Sequence, residues 1–182
     1  MKIRRVVTGH SADGKSIVVS DEEVDGIRPA LTPGSETHTM WGGDAAPHFP
    51  DDGSQSATKR YFPPVGGFRF GFFSLPPAEA RAVAPPADLA AAVAEFEANF
   101  PGMSSYIEPD TGGMHTTDTI DFLVVVEGEL SLELDDGATV HLKTGDTVVQ
   151  NGTRHGWRNH GTQTARVAVV TIGAHHDNVS RP

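Results

Sequence analysis

The sequence contains no cysteine, and this absence excludes both disulfide bonds and thiolate chemistry. Nowhere does it contain the run of about 20 apolar residues that a membrane span needs. Its first residues form two short apolar clusters followed at once by polar residues, which does not match a signal peptide. We therefore expect a cytoplasmic protein without a membrane partner.

Basic residues are also scarce. The chain has 14 lysines and arginines against 24 aspartates and glutamates, which gives a formal net charge of −10. A surface this acidic repels phosphate backbones. We expect no nucleic-acid partner.

Turn-forming residues, in contrast, are abundant, with 20 glycines and 13 prolines in 182 residues. This length is enough for one well-buried core and short for two. Short strand-like segments recur at a spacing of roughly 8–12 residues, with turn signals between them, and this pattern favours a sandwich or a barrel. The composition and spacing together predict one all-β domain.

Residues 1–77 are predicted to form strands and loops that pack on the rest of that domain. Residues 3–20 have the pattern of a β-hairpin, with Asp13-Gly14 in the turn. Glu36 to Trp41 and Gly67 to Leu75 alternate like two further strands, and a proline-rich loop lies between them.

Arg69 lies on the second of these strands, on the same face as Phe73 and Leu75. From that face it could reach a cavity and bind a substrate carboxylate. The alternative is an exposed strand arginine.

Residues 86–101 are predicted to form the one short helix of the protein. Its apolar positions recur at helical spacing and predict a stripe that packs on the core; they are Leu89, Val93, Phe96 and Phe100. Dense strand patterns then fill residues 104–174, and residues 175–182 form a polar tail.

Two stretches of the strand-rich region carry candidate catalytic groups. His115 and Asp121 occur in the first and His155 in the second, and strand alternation directs them to faces that can line a barrel interior. Two imidazoles and a carboxylate in one cavity can bind a metal or perform acid–base chemistry. The histidines could also be polar core residues satisfied by hydrogen bonds.

These two stretches resemble the paired motifs of the cupin family. In the first, which runs from Gly113 to Gly128, His115 stands at the first histidine position and Asp121 at the glutamate position. In the second, the matching residues are Gly145, His155 and Asn159. The resemblance implies an antiparallel cupin β-barrel (a jelly roll) over residues 104–174, with the N-terminal strands as an extension.

The sequence departs from the cupin pattern at a ligand position. Metal-binding cupins hold Fe, Mn, Ni or Zn through three histidines and one glutamate, but Thr117 stands where the second histidine would be. Asp121 is one methylene shorter than glutamate. A divalent metal on His115, Asp121 and His155 is still conceivable, because two histidines and a carboxylate can bind iron. Thr117 weakens this expectation, so no cofactor is certain.

The resemblance implies a small-molecule enzyme that works in the barrel cavity. Lyase, isomerase or decarboxylase chemistry fits a metal-poor site, with His155 or His115 moving a proton and Asp121 orienting an imidazole or acting as the base. Substrate contacts are expected from three further residues, which are Thr117, Trp157 and Arg69. Trp157 could equally be plain core.

Two other functions stay open, namely a metal-dependent dioxygenase and a non-catalytic module that only binds or senses a small molecule. The family resemblance also implies a homodimer, for which the N-terminal strands are natural candidates.

Overall fold

The computed structural model describes residues 1–81 and 86–177, so residues 178–182 of the expected polar tail lie outside the described residues. Within these ranges the chain forms strands, two α-helices and two short 3₁₀ helices (Met103–Tyr106 and Asp135–Gly137). In chain order the strands and α-helices are β1 (Lys2–His10), β2 (Ser16–Asp25), β3 (Glu36–Gly43), β4 (Phe68–Leu75), α1 (Ala78–Arg81), α2 (Leu89–Asn99), β5 (Thr119–Glu127), β6 (Glu129–Glu133), β7 (Thr139–Lys143), β8 (Thr147–Gln150), β9 (Gly156–Arg158) and β10 (Ala165–Gly173).

The strands form three antiparallel sheets. One has five strands in the order β3-β4-β10-β5-β8, a second has the order β7-β6-β9, and the β1-β2 hairpin forms the third. This arrangement confirms the expected all-β fold of cupin type. The sheets do not pair into one closed barrel.

The core lies between the five-stranded and three-stranded sheets. Alternate residues of β5 and β10 point inward and meet apolar side chains of β6 and β7. The buried members are Leu123, Val125, Leu130, Leu132, Leu142, Ala165 and Val167. This cluster fills one end of the space between the sheets and leaves the other end to polar side chains.

Helix α2 begins later than the sequence indicates, and its N-cap is Asp88, whose side chain accepts a hydrogen bond from the backbone N–H of Ala91. Phe96 and Phe100 are buried as expected. The prediction that Leu89 and Val93 also pack on the core is wrong, because their side chains are 55% and 46% exposed. The buried residues within α2 are Ala92 and Phe96, so the buried side of the helix differs from the expected stripe. Neither α-helix of residues 1–81 and 86–177 is long and apolar enough to cross a membrane.

The β1-β2 hairpin is attached to β3 by polar contacts. The guanidinium of Arg5 donates to the carbonyl of Met40 at 2.7 Å, and the terminal amino group of Met1 contacts the buried carboxylate of Glu36 at 2.6 Å. The other strand of the hairpin, β2, is exposed along nearly its whole length. β2 nevertheless meets the domain as well, because the side chain of Val19 lies close to Gly53 in the β3–β4 loop.

The outer face of the five-stranded sheet is apolar. Val149, Phe122, Val170 and Phe70 are neighbours across four adjacent strands, and Val149 and Phe122 are 55% and 45% exposed. We call these four residues and the adjacent Ile172 the apolar outer face. Monomeric proteins rarely expose so many large apolar side chains side by side.

Candidate functional site

A row of polar side chains crosses the inner face of the five-stranded sheet. Asp121 on β5 is the register partner of Gln150 on β8 and of Thr171 on β10, and Thr171 is in turn the partner of Arg69 on β4. Residues directly opposite each other on neighbouring strands point to the same face. The row therefore lies at the polar end of the space between the sheets.

Within this row, Asp121 is the residue whose negative charge is disfavoured by its surroundings. Its carboxylate is buried, and Oδ1 has no hydrogen-bond partner among the described residues. Burial raises the pKa of Asp121 from 3.8 to about 6, although hydrogen bonds from Thr119 and Thr171 oppose the shift. A carboxyl group with a pKa near 6 can take or give a proton close to neutral pH.

Two cavities border the residues that hold Asp121. The first, the Thr171 cavity, has a volume of about 140 Å³ and is lined by Thr171, Tyr61 and Arg69, among others. The second, the Thr119 cavity, has a volume of about 480 Å³ and is lined by Thr119. Thr119 and Thr171 are the two residues whose hydroxyls bond Asp121, so each cavity reaches one of its hydrogen-bond partners, although Asp121 itself lines neither cavity.

Tyr61 is a site residue that the sequence did not reveal. Burial and the negative charge of Asp121 raise the pKa of Tyr61 to about 12, so its phenol stays protonated at neutral pH. Its ring packs edge-on against Phe62 and Phe100, at centroid distances of 5.0 and 5.3 Å. Tyr61 lies in the long loop between β3 and β4, where no periodicity marks a functional position.

The two histidines meet at a different place. His115 and His155 form an antiparallel bridge, and their ring centroids are 4.2 Å apart. The Nδ1 atom of His115 is 2.9 Å from the carbonyl oxygen of Gly113, and that of His155 is 2.9 Å from the carbonyl oxygen of Thr153. A carbonyl oxygen only accepts, so each Nδ1 carries the proton and each Nε2 has a free lone pair.

Gln150 supports this tautomer at His155. Its amide nitrogen donates to the carbonyl and the hydroxyl of Thr153, at 2.8 and 2.6 Å, and both amide hydrogens are then used. The Nδ1–H of His155 is thus left to donate to Thr153. Burial and the neighbouring His115 lower the pKa of His155 to about 4, and burial also lowers the pKa of His115. Both imidazoles are neutral at neutral pH.

The structure therefore brings the two predicted histidines together but not all three predicted catalytic groups. Gln150 lies between Asp121 and His155, as a strand neighbour of the first and a side-chain contact of the second. The prediction that Asp121 orients an imidazole is wrong, because backbone carbonyls do so. In residues 1–81 and 86–177, no three side chains of His, Asp or Glu form a group that could hold a metal ion.

The predicted substrate contacts have different surroundings. Thr117 is buried, and its hydroxyl shares a 2.7 Å hydrogen bond with that of Thr119, so it belongs to the support of Asp121. Trp157 packs against the apolar core, with its ring between those of His155 and Phe73. It therefore contributes to the core as well as to the histidine pair.

Arg69 is fully engaged within the protein. Its five N–H donors bond the carbonyl oxygens of Tyr61, Gly43, Phe68 and Arg60 and the carboxylate of Asp44, at 2.6 to 3.1 Å. No donor is left for a substrate carboxylate. The structure gives Arg69 the task of fixing the β3–β4 loop, and this corrects the expected substrate contact.

The comparisons with known proteins agree with the fold. Residues 104–171 match the cupin domain family. Over 61 residues the chain is 49% identical to oryzines biosynthesis cluster protein J of Aspergillus oryzae, covering 33% of this chain and 34% of the relative. It is 48% identical over 62 residues to phomopsin biosynthesis cluster protein C′ of Diaporthe leptostromiformis, covering 34% and 33% of the two chains. The cupin-domain-containing oxidoreductase virC of Hypocrea virens is 36% identical over 62 residues, 32% of each chain.

The aligned part thus spans about a third of the length of these relatives. Among solved structures, the Cnp3 cupin domain of Schizosaccharomyces pombe aligns with 95% of this chain and 89% of its own, at 10% identity and a TM-score of 0.47.

Proposed function

We propose that the protein is a small-molecule enzyme of the cupin type, with Asp121 as its acid–base group; the match of residues 104–171 to the cupin domain family supports this. One observation carries the proposal. Asp121 is buried, its Oδ1 has no hydrogen-bond partner among the described residues, and the two threonines that bond it each line a cavity; burial raises its pKa to about 6. A buried carboxylate without a full set of partners destabilises a fold, and such groups concentrate at functional sites.

Proton transfer to or from a bound substrate is the chemistry that suits this carboxylate. The hydroxyls of Thr119 and Thr171 hold it in place, and Thr117 supports Thr119. Lyase, isomerase and decarboxylase reactions all need such a transfer at carbon or oxygen. The neutral His155 and His115, each with a free Nε2 lone pair, would accept a hydrogen bond or a proton from an intermediate.

The names of the relatives support small-molecule chemistry. Two of them are described as proteins of biosynthesis clusters, for oryzines and for phomopsin. The similarity to each of them extends over about a third of this chain.

A redox function is the second candidate, because one relative is described as an oxidoreductase. Cupins of that kind would use a metal held by histidines and a carboxylate. Here His115 and His155 offer two free Nε2 atoms, but Thr117 supplies no imidazole and Asp121 does not join a group able to hold a metal. The residues do not fit such a metal, and no step of the proposed chemistry passes through one.

Hydrogen exchange from solvent tests the acid–base role directly. The protein is incubated in D₂O with a panel of small organic compounds, and deuterium at carbon is measured by mass spectrometry. We expect exchange or turnover for at least one compound, slowed roughly 100-fold or more by Asp121→Asn. Asp25→Asn, which changes an exposed carboxylate on the hairpin, serves as the control and should leave the rate unchanged.

This experiment also separates an enzyme from a binding module. Binding of a compound without exchange or turnover, in wild type and variant alike, would favour the non-catalytic function. Equal rates in wild type and Asp121→Asn would remove Asp121 from the mechanism.

We further propose that the protein is a homodimer. Two observations support this, namely the apolar outer face of the five-stranded sheet and the exposed strand β2, on which Val18 is 65% exposed. Pairing of two apolar outer faces would remove their large side chains from water. Among the described strands β2 pairs only with β1, which leaves the edge that strand pairing between copies requires.

A further inference from the structure

The carboxylates around the two cavities are already paired. Asp44 accepts hydrogen bonds from the guanidinium of Arg69 at 2.6 Å and from the backbone N–H of Lys59 at 3.1 Å. Asp118 is 3.0 Å from the imidazole of His176. Both carboxylates thus already have a side-chain partner, which for Asp44 is the charged Arg69.

Arg60 brings a positive charge to the two cavities. It lines both the Thr171 cavity and the Thr119 cavity, and it is exposed. Its carbonyl oxygen accepts a 2.8 Å hydrogen bond from Arg69, so its backbone is fixed. No carboxylate in residues 1–81 and 86–177 forms an ion pair with its guanidinium, in contrast to the fully bonded Arg69.

An aromatic wall lies beside this free cation. Phe62 lines both cavities and packs edge-on against Tyr106, with ring centroids 4.9 Å apart. Tyr106 and the apolar Pro63, Pro64 and Val65 line the Thr119 cavity as well. The two cavities thus present the Arg60 guanidinium, an apolar wall, and the Thr119 and Thr171 hydroxyls that bond Asp121. Lys59 and the carboxylates of Asp44 and Asp118 also line the Thr119 cavity.

We propose that this site takes a small carboxylate with an apolar or aromatic body, and that Arg60 binds its carboxylate group. The body lies against Phe62 and Tyr106, which directs the reacting part of the molecule toward Asp121. The inference rests on the proposed function of Asp121 and adds the substrate class. The carboxylate contact that the sequence suggested for Arg69 is thereby assigned to Arg60 in the β3–β4 loop, whose guanidinium has no ion-pair partner among the described residues.

A carboxylate fits better than a phosphate ester. A guanidinium binds a carboxylate through two parallel hydrogen bonds, and one guanidinium balances its single negative charge. A phosphate carries nearly two charges and is usually held by several cations or backbone N–H groups. The formal net charge of −10 further disfavours a dianion.

Binding measurements with matched probes test the inference without turnover. The probes are benzoate, phenylacetate and cyclohexanecarboxylate, each with its neutral amide, and inorganic phosphate. Calorimetry or ligand-observed NMR gives their affinities for wild type, Arg60→Gln, Arg60→Lys and the control Arg4→Gln, which changes an exposed arginine on the hairpin that pairs with Asp21. Circular dichroism and the unfolding temperature check that each variant is folded.

We expect at least one carboxylate to bind more tightly than its amide, and Arg60→Gln to weaken it roughly 10- to 100-fold. Arg60→Lys should restore part of the affinity, and Arg4→Gln should change nothing. The substrate class is wrong if every carboxylate binds no better than its amide, if phosphate binds better than all of them, or if Arg60→Gln binds as wild type does.

The two proposals fail separately. Asp121→Asn leaves the carboxylate affinity measurable, so an Arg60-dependent affinity without any effect of Asp121→Asn on exchange overturns the proposed function alone. Turnover of a neutral compound that depends on Asp121 but not on Arg60 overturns the substrate class alone.

Discussion

His115 and His155 exchange both of their backbone hydrogen bonds across one bridge, at 2.8 and 2.9 Å. The bridge holds the two imidazoles with their centroids 4.2 Å apart and their planes tilted by 52°, and the Nδ1 atom of each ring bonds a carbonyl oxygen of its own segment. Two rings this close cannot both be protonated without strong repulsion. The pair therefore acts as a neutral unit, and this has a measurable effect on stability.

Acid should destabilise the protein through His155. Its pKa is about 4 in the folded chain and about 6.5 when unfolded, so the unfolded chain binds more protons between these values. The contribution to the free energy of unfolding is present above about pH 6.5 and is lost as the pH falls toward 4. It amounts to about 3 kcal/mol.

Urea unfolding of wild type and His155→Gln at several pH values measures this contribution. The variant should lose most of the fall in stability between about pH 6.5 and 4. His141→Gln, at an exposed histidine, is the matched control and should keep the wild-type profile. Parallel profiles for wild type and His155→Gln would contradict the prediction.

Asp121→Asn should make the protein more stable at neutral pH. The pKa of Asp121 is raised from 3.8 to about 6, so its ionised form is disfavoured in the folded chain. Removing the charge should raise the free energy of unfolding by up to about 3 kcal/mol above pH 6, and the gain should vanish below about pH 4. Denaturant melts at both pH values check this, with Asp25→Asn as the neutral reference. A loss of stability at neutral pH would show that the carboxylate has partners that the folded chain depends on.

Thr117→His should create metal affinity. The substitution places a third imidazole at the position where the cupin pattern has one, close to His115 in the chain. We expect Co²⁺ or Ni²⁺ to bind the variant at least roughly tenfold more tightly than wild type. The visible spectrum of bound Co²⁺ and a calorimetric titration measure it, and Thr139→His, at an exposed position on β7, is the control. Strong, stoichiometric binding by wild type would show that His115 and His155 already suffice with a further ligand.

Asn159→Ala should destabilise the fold strongly. The amide nitrogen of this buried residue donates to the carbonyls of Leu75 and Gln163, each at 2.8 Å, and its oxygen accepts from the N–H of Gly161 at 2.9 Å. Truncation leaves these groups without partners and should lower the free energy of unfolding by about 3 kcal/mol. Asn99→Ala, whose amide is exposed and bonds only within α2, should lower it by less than about 1 kcal/mol.

The apolar outer face should hold two copies of the chain together. Phe122→Glu combined with Val149→Glu puts two charges into this face and should shift the protein from dimer to monomer. Analytical ultracentrifugation at micromolar concentration measures the mass, and Leu89→Glu on the exposed part of α2 is the control. A monomeric wild type, or a double variant that remains dimeric, would rule out this interface.

The strands could be predicted because alternation and turns are local signals. The hairpin, the strands around Glu36 and Phe68 and the strand-rich region all occur where the periodicity indicates them. The helix could be predicted for the same reason. The spacing of its apolar residues, however, does not indicate which of them the rest of the domain buries. Leu89 and Val93 are exposed, whereas Ala92 and Phe96 are buried, so the buried side of α2 is not the one that the spacing of the large apolar residues indicates.

The site was only partly predictable because some of its residues lie in the two motifs and others in a loop far from them in the sequence. Motif spacing identified His115, His155 and Asp121, yet the register between β5 and β8 inserts Gln150 between Asp121 and His155. Tyr61 and Arg60 lie in a loop without periodicity, and only the folded chain carries them to the cavities. Loop residues of this kind acquire their surroundings from tertiary contacts, which a single sequence does not encode in any local pattern.

Arg69 gives this protein an unusual mutational profile. Its guanidinium fixes the carbonyls of Arg60 and Tyr61, so its loss would release both residues from the cavity walls at once. In a screen of random variants for lost activity, substitutions at Arg69 would therefore score as severely as those at Asp121. An inventory of essential residues would then place Arg69 among the groups that touch substrate, although its five donors are all committed elsewhere.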